Sequence, residues 1–436
     1  MPDTQSFVFT AASAILVLTY ALIISERANR AVAALLGASL VILFGILSQR
    51  QAIGTIDFNT LGLLAGMMII VAIANKSGLF GYCAIKAAQF VKASPAGILA
   101  ALALVTALLS AALNNVTTVL LIAPVTFIVC KELRVEAYPF LFAEILASNI
   151  GGTATLIGDP PNILIGSATG LNFNDFLLEI APVAAIIMAM QLLICHLIWG
   201  IKLKGAPANR ARVMELNAKA AITDRYLLVC SLSVIGATLA AFVLAQRLEA
   251  ATIALTGAAM LMLLENLRHP VHLHGDNVAK VLKEVEWVTL FFLVGLFVVV
   301  GGVERAGLLD LAAHKLSLAT NGNLAVTTGA VLWGSAILSS ILDNIPFVAT
   351  MIPVVKSLGP SLGGPEALRP IWWALALGAC LGGNGTLVGA SANLALAGIA
   401  ERNGVPFRFV KFTLLAFPMM LASIAVAQVY LWLFYL

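Results

Sequence analysis

Two short stretches of this chain combine freed backbone with neutral polar side chains. Residues 148–162 read SNIGGTATLIGDPPN, and residues 382–393 read GGNGTLVGASAN. Glycine and proline at this density unwind a helix: glycine gives up most backbone entropy inside one, and proline removes an amide donor and clashes with the preceding turn. The unwound backbone exposes N–H and C=O groups. Helix N-termini facing the gap add partial positive charge, and C-termini add partial negative charge. The first stretch offers Gly151, Gly152, Thr153, Thr155 and Asn162 to a solute; the second offers Gly382, Gly383, Asn384, Thr386, Ser391 and Asn393. Two further clusters sit between apolar runs: Asn114 and Asn115 with Thr117 and Thr118, and Asn344 beside Asp343. For any one of these residues, capping a broken helix or joining neighbouring helices is an equal explanation. Four clusters of the same amide and hydroxyl chemistry point to a lining for a small polar solute or a partly dehydrated ion.

Three carboxylates accompany them: Asp159, Asp343 and Glu144. An acid at membrane depth is costly to keep charged, so it is read as functional by default and suits a proton carrier. The competing readings are an N-cap-like acid before Pro160-Pro161 for Asp159, and a salt bridge or interface-facing acid for Glu144.

Other chemistry finds no support. His269, His272 and His274 share one turn without a fixed helical spacing, so no metal site is expected. The absence of a Walker glycine loop followed by Lys argues against ATP hydrolysis, and no cofactor is implied. The serines have no His–Asp partners at plausible depth, which argues against an enzyme. No run interleaves Lys or Arg with aromatics as a nucleic-acid groove does. Cys83, Cys130, Cys195, Cys230 and Cys380 lie scattered with no CxxC spacing, and read as small apolar residues.

The elements that must position these clusters follow from composition. The chain is 61% hydrophobic and 11% charged, with a mean hydropathy of +1.01, whereas soluble domains carry about 25% charge. Apolar runs such as 7–24, 226–245 and 412–436 cross about 30 Å of hydrocarbon as helices, and they lack the alternation of a β-barrel. The first run has no basic leader and no convincing cleavage site, so it reads as a span. Full spans are expected at 7–24, 32–47, 58–75, 139–169 and 177–200, then at 226–245, 249–265, 287–303, 371–402 and 409–435. Between the third and fourth span of each half lies a pair of runs, each too short to cross comfortably. They read as re-entrant hairpins at about 96–130 and 324–356, with polar tips that are tolerated only where protein or water covers them.

A duplication relates the halves. Shifting by 229 places Asp57-Phe58 on Glu286-Trp287, Gly66 on Gly295, Gly78 on Gly307, Asn115 on Asn344 and Pro124 on Pro353. Shifting by 231 places Gly151-Gly152 on Gly382-Gly383, Thr155 on Thr386, Gly158 on Gly389 and Asn162 on Asn393. The repeats differ where they carry charge: Asp343 faces Asn114, and Asp159 faces Ala390. Expected units are a first repeat at 1–203, a cytoplasmic linker at 204–225 and a second repeat at 226–436. Five crossings per repeat invert the second copy. With both termini outside, the cytoplasmic loops carry all of the 25 basic residues except Arg50, Arg247, Arg305, Lys315, Lys356 and Arg369, as the positive-inside rule requires. The expected fold is therefore an all-α polytopic membrane protein of two inverted repeats, each with about five transmembrane helices, a re-entrant hairpin and a broken helix. Paired broken spans are the sequence mark of a transport site.

The segments LNNVTT at 113–118, 149–162 and 378–393, with Asp343-Asn344-Ile345-Pro346, resemble the ion-transporter superfamily over nearly the whole chain. The branch they resemble holds arsenite permeases, the melanosomal P protein and certain sodium/proton antiporters. The resemblance implies a scaffold part and a moving part, with hairpins and broken helices carrying solute by an elevator-like or rocking step. One departure bears on cargo: the P protein has Asp at the first hairpin tip, where this chain has Asn114. Losing that carboxylate weakens a site for a bare cation and costs little for neutral arsenous acid. The leading expectation is arsenite or antimonite efflux in exchange for protons, in a bacterial inner membrane. The rivals are a sodium/proton antiporter and an uncoupled anion pathway. The cytoplasmic loops offer a surface on which a soluble ATPase partner could dock.

Overall fold

The computed structural model describes residues 2–25 and 27–436, and all regular structure among them is helical. The first half runs α1 (Pro2–Ile24), α2 (Arg30–Leu43), α3 (Phe58–Lys76), α4 (Leu79–Phe90), α5 (Pro95–Ala112), α6 (Asn115–Leu133), α7 (Tyr138–Thr153), α8 (Pro160–Thr169) and α9 (Ala181–Cys195). The second half repeats this order as α10 (Arg225–Leu244), α11 (Ala250–Asn266), α12 (Trp287–Arg305), α13 (Leu308–Ala319), α14 (Leu324–Ser339), α15 (Asn344–Ser357), α16 (Arg369–Gly382), α17 (Ser391–Arg402) and α18 (Phe409–Phe434). Helix starts obey ordinary capping chemistry. Asp57 accepts from the amides of Asn59 and Thr60 to open α3, and Asp224 accepts from Leu227 to open α10.

Sequence periodicity did not separate out the 12-residue helices α4 and α13. Each begins after a left-handed glycine, Gly78 or Gly307, with φ 78° at both, a backbone that side-chain-bearing residues resist. The fifth span, expected over 177–200, divides at Ile180: Phe173–Glu179 precedes α9, and a π-helical turn His196–Gly200 ends it. The hairpin arms also need correction. Arms α5 and α6 have 18 and 19 residues, about 27 Å at 1.5 Å per residue, so length alone does not keep them from crossing.

What makes them a hairpin is that both outer ends lie on one face. The linker covers that face: Asn209 Nδ2 donates to the Leu133 carbonyl at 3.1 Å, and Arg210 Nη2 donates to the Lys92 carbonyl at 3.0 Å. Lys76 pairs with Glu265 there at 2.8 Å, and Arg268 pairs with Asp224 at 2.8 Å. The capped Leu227 amide, together with the Arg268 guanidinium, holds the Asp224 carboxyl below its ordinary 3.8. The second hairpin, α14 and α15, opens on the opposite face, where Ser357 Oγ donates to Asp310 at 2.7 Å and Arg369 bridges Asp175 and Glu179.

The helices group into a frame (α1–α3 and α10–α12) and a core bundle (α5–α8 and α14–α17 with α9 and α18). Matched glycines set both. In the frame, a Cβ on Gly66 would lie 2.7 Å from the Ala254 carbonyl carbon, and one on Gly295 would lie 2.5 Å from that of Ala34. These are the crossings α3 on α11 and α12 on α2. In the bundle, Gly151 backs onto the Ala107 carbonyl and Gly382 onto the Ala336 carbonyl, packing α7 on α5 and α16 on α14. Small residues let helix backbones approach where lipid removes the hydrophobic drive to associate. Each half closes over the other, since α17 packs on α6 and α8 packs on α15. Apolar side chains cover the outside, among them Leu108 (71% exposed) and Leu433 (70% exposed), a surface suited to lipid rather than water.

Candidate functional site

The four interruptions meet. At the centre is Asn149, on the last turn of α7. Its Nδ2 donates to Asn384 Oδ1 at 2.9 Å and to Asn393 Oδ1 at 3.0 Å, while its Oδ1 accepts from Asn115 Nδ2 at 3.2 Å. One side chain therefore joins the first hairpin tip, the first broken helix and both parts of the second. From the other hairpin, Asn344 Nδ2 reaches both oxygens of Asp159 at 3.3 Å. All of these residues are buried.

Both breaks are built alike. Asn162 Nδ2 donates to the carbonyls of Thr153 (3.0 Å) and Thr155 (2.8 Å), and Asn393 Nδ2 donates to those of Gly383 (2.7 Å) and Thr386 (2.8 Å). These amides answer carbonyls that the helix break leaves unpaired. Thr155 Oγ1 donates to the Ala111 carbonyl at 2.5 Å and Thr386 Oγ1 to the Ser340 carbonyl at 2.6 Å, which ties each break to its own hairpin. Gly152 and Gly383 stand where a side chain would press on Gly158 and Gly389.

Not every expected lining residue faces the junction with a free group. Asn114 caps α6, accepting from Val116 and Thr117 amides at 2.7 and 3.2 Å. Thr118 and Thr153 return their hydroxyls to the carbonyls four residues back, at 2.8 and 2.7 Å. Thr117 is half-buried beside them.

The three acids occupy different settings. Asp159 is fully buried at the junction. It caps α8 without a side-chain bond to it, because Pro160 and Pro161 carry no amide hydrogen and the Asn162 amide goes to the Asp159 backbone carbonyl at 3.0 Å. Its hydrogen bonds come from the Asn344 amide, and no basic side chain pairs with it among the described residues. Asp343 instead pairs with Arg30 Nη1 at 3.0 Å and accepts from Ser391 Oγ at 2.8 Å. Glu144 lies nearer the linker face. One of its oxygens accepts from Thr126 Oγ1 at 2.5 Å, and the other has no partner among the described residues.

The helix start opposite Asp159 has the reverse character. Helix α17 begins after Ala390 with no side-chain cap, so its first amides are unanswered donors. The junction thus sets Asp159, with no basic partner among the described residues, at the start of α8, and uncapped amides at the start of α17, where Ser391 also holds the Arg30-paired Asp343.

Sequence reasoning passed over Asn149 and Arg30. Asn149 lay inside the motif, but its partners are 235 and 244 residues away. Its repeat counterpart by the 231 shift is Cys380, whose Sγ lies 3.5 Å from Asn162 Oδ1, so each repeat reaches the other's Asn from the same position. Arg30 counted only as a loop base.

A profile of the family described as citrate transporter matches residues 20–378. A protein of Mycobacterium tuberculosis named as an uncharacterized transporter is 42% identical over 427 residues, 97% of each chain. The human P protein is 36% identical over 97% of this chain, which spans 59% of the P protein's length. Among solved structures, the YdaH transporter of Alcanivorax borkumensis, described as having an unusual topology, superposes with a TM-score of 0.60. It is 16% identical, over 88% of this chain and 87% of that one, a likeness of fold.

Proposed function

The chain belongs to the citrate transporter family, and from that premise we propose that this membrane transporter couples passage of a small oxygen-bearing solute to one cation carried on Asp159. The observation that carries the proposal is the buried Asp159 carboxylate, which faces the Asn344 amide at the meeting point of the interruptions and has no basic partner among the described residues. A charge left in that state is costly. A proton arriving from either side relieves it, and so does a small cation.

The cargo best matched to a neutral amide lining is arsenous or antimonous acid as the trihydroxide, exchanged for protons. Its hydroxyls would donate to Asp159 and to the carbonyls of the breaks. Its oxygens would accept from the start of α17 and from the amide ring. The frame and the core bundle would be the fixed and moving parts, and the linker face, bordered by most of the basic residues, would be cytoplasmic.

A specific observation favours a second cargo. The uncapped start of α17 presents amide donors beside the second hairpin tip, which suits a carboxylate anion moving with its cation, while Arg30 there is already paired with Asp343.

Everted vesicles given arsenite, antimonite, sodium, lithium or citrate, with and without a proton gradient, test both. Gradient-driven arsenite flux supports the first cargo, and cation-dependent citrate flux supports the second. Solute current that ignores every cation gradient sinks the coupling role of Asp159.

A further inference from the structure

Beyond the two breaks the repeats are related by a third offset. Shifting by 236 places Phe173 on Phe409, Phe176 on Phe412 and Pro182 on Pro418. The buried positions of α9 then fall on those of α18: Val183, Ala184, Ile187 and Met188 on Met419, Met420, Ser423 and Ile424, all buried. In this register the halves back their breaks differently. A Cβ on Gly385 would meet Met420 Cε at 3.0 Å and Phe417 Cδ2 at 3.3 Å, so α18 side chains lie against the second break. Phe417 corresponds to Ala181 and Met420 to Ala184, and by the 229 shift Trp333 of α14 corresponds to Leu104 of α5. Behind the first break, three large side chains give way to smaller ones.

The space they leave is a groove of about 410 Å³ between α5, α7 and α9, lined by Leu104, Ala181 and Ala184 and floored by Gly151, Ala154 and Thr155 of the first break. Leu108, also in its lining, is 71% exposed, so the groove opens toward lipid. Its one hydroxyl, Thr155 Oγ1, already donates to the Ala111 carbonyl at 2.5 Å. Water finds no partner there and does not fill it.

Leu104 also borders a wider hollow of about 710 Å³, lined by Ala101 and Val105 of α5 and by Lys86 and Phe90 of α4. Residues 101, 104, 105, 108 and 111 recur at three- and four-residue steps and share one face of α5, so the two hollows make one trough. Helix α5 starts at the linker face and ends at the hairpin tip. From Ala101 to Ala111 is about 15 Å at 1.5 Å per residue, half of the roughly 30 Å of hydrocarbon. The trough therefore has the depth of one leaflet.

Its outer end is polar. Helix α4 lies along the linker face, where Gln89 Nε2 donates to the Leu216 carbonyl at 2.7 Å. Phe90 is 88% exposed. Lys86, one turn before it, is exposed, and no acid pairs with it among the described residues. An apolar ring and an ammonium on one helix face mark a segment lying in the interface, with the lysine stem on apolar surface and its charge among headgroups. Anionic headgroups are attracted to such a charge.

We propose that this trough binds an anionic glycerophospholipid of the linker-side leaflet, with its phosphate at Lys86 and one acyl chain running past Leu104 to the first break. The chain supplies behind the first break the hydrocarbon that Trp333, Phe417 and Met420 supply behind the second. A free phosphate would meet Lys86 alone and leave the apolar depth empty. The lipid is a structural ligand of the junction, and its binding is tested without cargo.

The full chain in phosphatidylcholine vesicles is given trace phosphatidylglycerol, or trace phosphatidylcholine, carrying a photoreactive diazirine at the end of one acyl chain. Labelled peptides are located by mass spectrometry. The phosphatidylglycerol probe should label 104–111 and 181–192 well above the closed counterparts, 333–340 and 417–428. Ala181→Phe with Ala184→Met copies the filling of the second half. Displacing about two buried methylenes of the chain should cut groove labelling on the order of tenfold. Leu104→Trp, which narrows the trough at one point, keeps the test open should the double variant fail to fold. Added phosphatidylglycerol should raise the unfolding temperature of the unmodified chain in detergent and not that of the filled variants. Lys86→Gln should erase the preference for phosphatidylglycerol over phosphatidylcholine and leave tail labelling by the latter in place. Groove labelling no stronger than at the counterparts, or unchanged in a folded filled variant, overturns the acyl-chain site. Equal labelling by the two probes in the unmodified chain overturns the headgroup assignment.

Discussion

Asn149 and Cys380 occupy the same place in the two repeats, yet truncating them should have opposite consequences. Asn149→Ala removes three buried hydrogen bonds of 2.9, 3.0 and 3.2 Å that join three separate elements. It strands the Asn115 amide and the Asn384 and Asn393 oxygens. Hydrogen bonds between membrane helices average about 0.6 kcal/mol, and a stranded buried partner costs about 1–3 kcal/mol, so the loss should total about 2–4 kcal/mol. Cys380→Ala gives up weak thiol contacts, to Asn162 Oδ1 at 3.5 Å and beside the Asp159 carboxyl, and a single sulfur atom, for about 1 kcal/mol. Thermal unfolding of the purified protein in detergent, paired with flux in everted vesicles, separates the two. Asn149→Ala should unfold at a clearly lower temperature and lose transport, and Cys380→Ala should keep both. Equal shifts in the two variants would refute the claim that the Asn149 amide organises the junction. A stable but inactive Cys380→Ala variant would mean that the thiol holds the cargo, as trivalent arsenic could require.

Asp159→Asn keeps a hydrogen-bonding side chain opposite Asn344 but cannot carry a proton. Gradient-driven flux should fall by about 10²-fold, the scale of a lost proton-transfer group, while thermal stability holds or rises because no buried charge remains to be desolvated; retained proton coupling would contradict the assignment. Gly151→Ala and Gly382→Ala push a methyl group into the carbonyls of Ala107 and Ala336, and overpacking of this kind costs about 1–3 kcal/mol; detergent extraction and unfolding should show both variants weakened, with Gly236→Ala, which has open space, as the unaffected control. The linker tether should depend on acid: the folded Asp224 carboxyl is held below its ordinary 3.8, so its contribution is present above that value and fades as pH falls through the lowered one. Limited proteolysis of residues 204–225 in neutral and acidic buffer reads this, and Asp224→Asn should abolish the difference.

The amino-acid sequence by itself determined the class, the duplication and the places where helices break. Each is a local property: hydropathy over a span, glycine and proline density, or a residue type recurring at 229 or 231. It also supplied the acids, because a carboxylate in an apolar run stands out from its neighbours. Short amphipathic helices such as α4 and α13 escaped, since 12 residues blend into the ends of adjacent runs and only a left-handed glycine marks each start.

Which acid stands alone was decided by the tertiary structure. Asp159 and Asp343 look alike in sequence, but Asp343 meets Arg30 from 313 residues away, whereas Asp159 meets the Asn344 amide from 185 away and no base among the described residues. Asn149 is central for the same reason, since its bonds cross from one repeat to the other. Hydrogen bonds act over about 3 Å, and no spacing along a chain specifies which side chains inverted halves will bring within that reach.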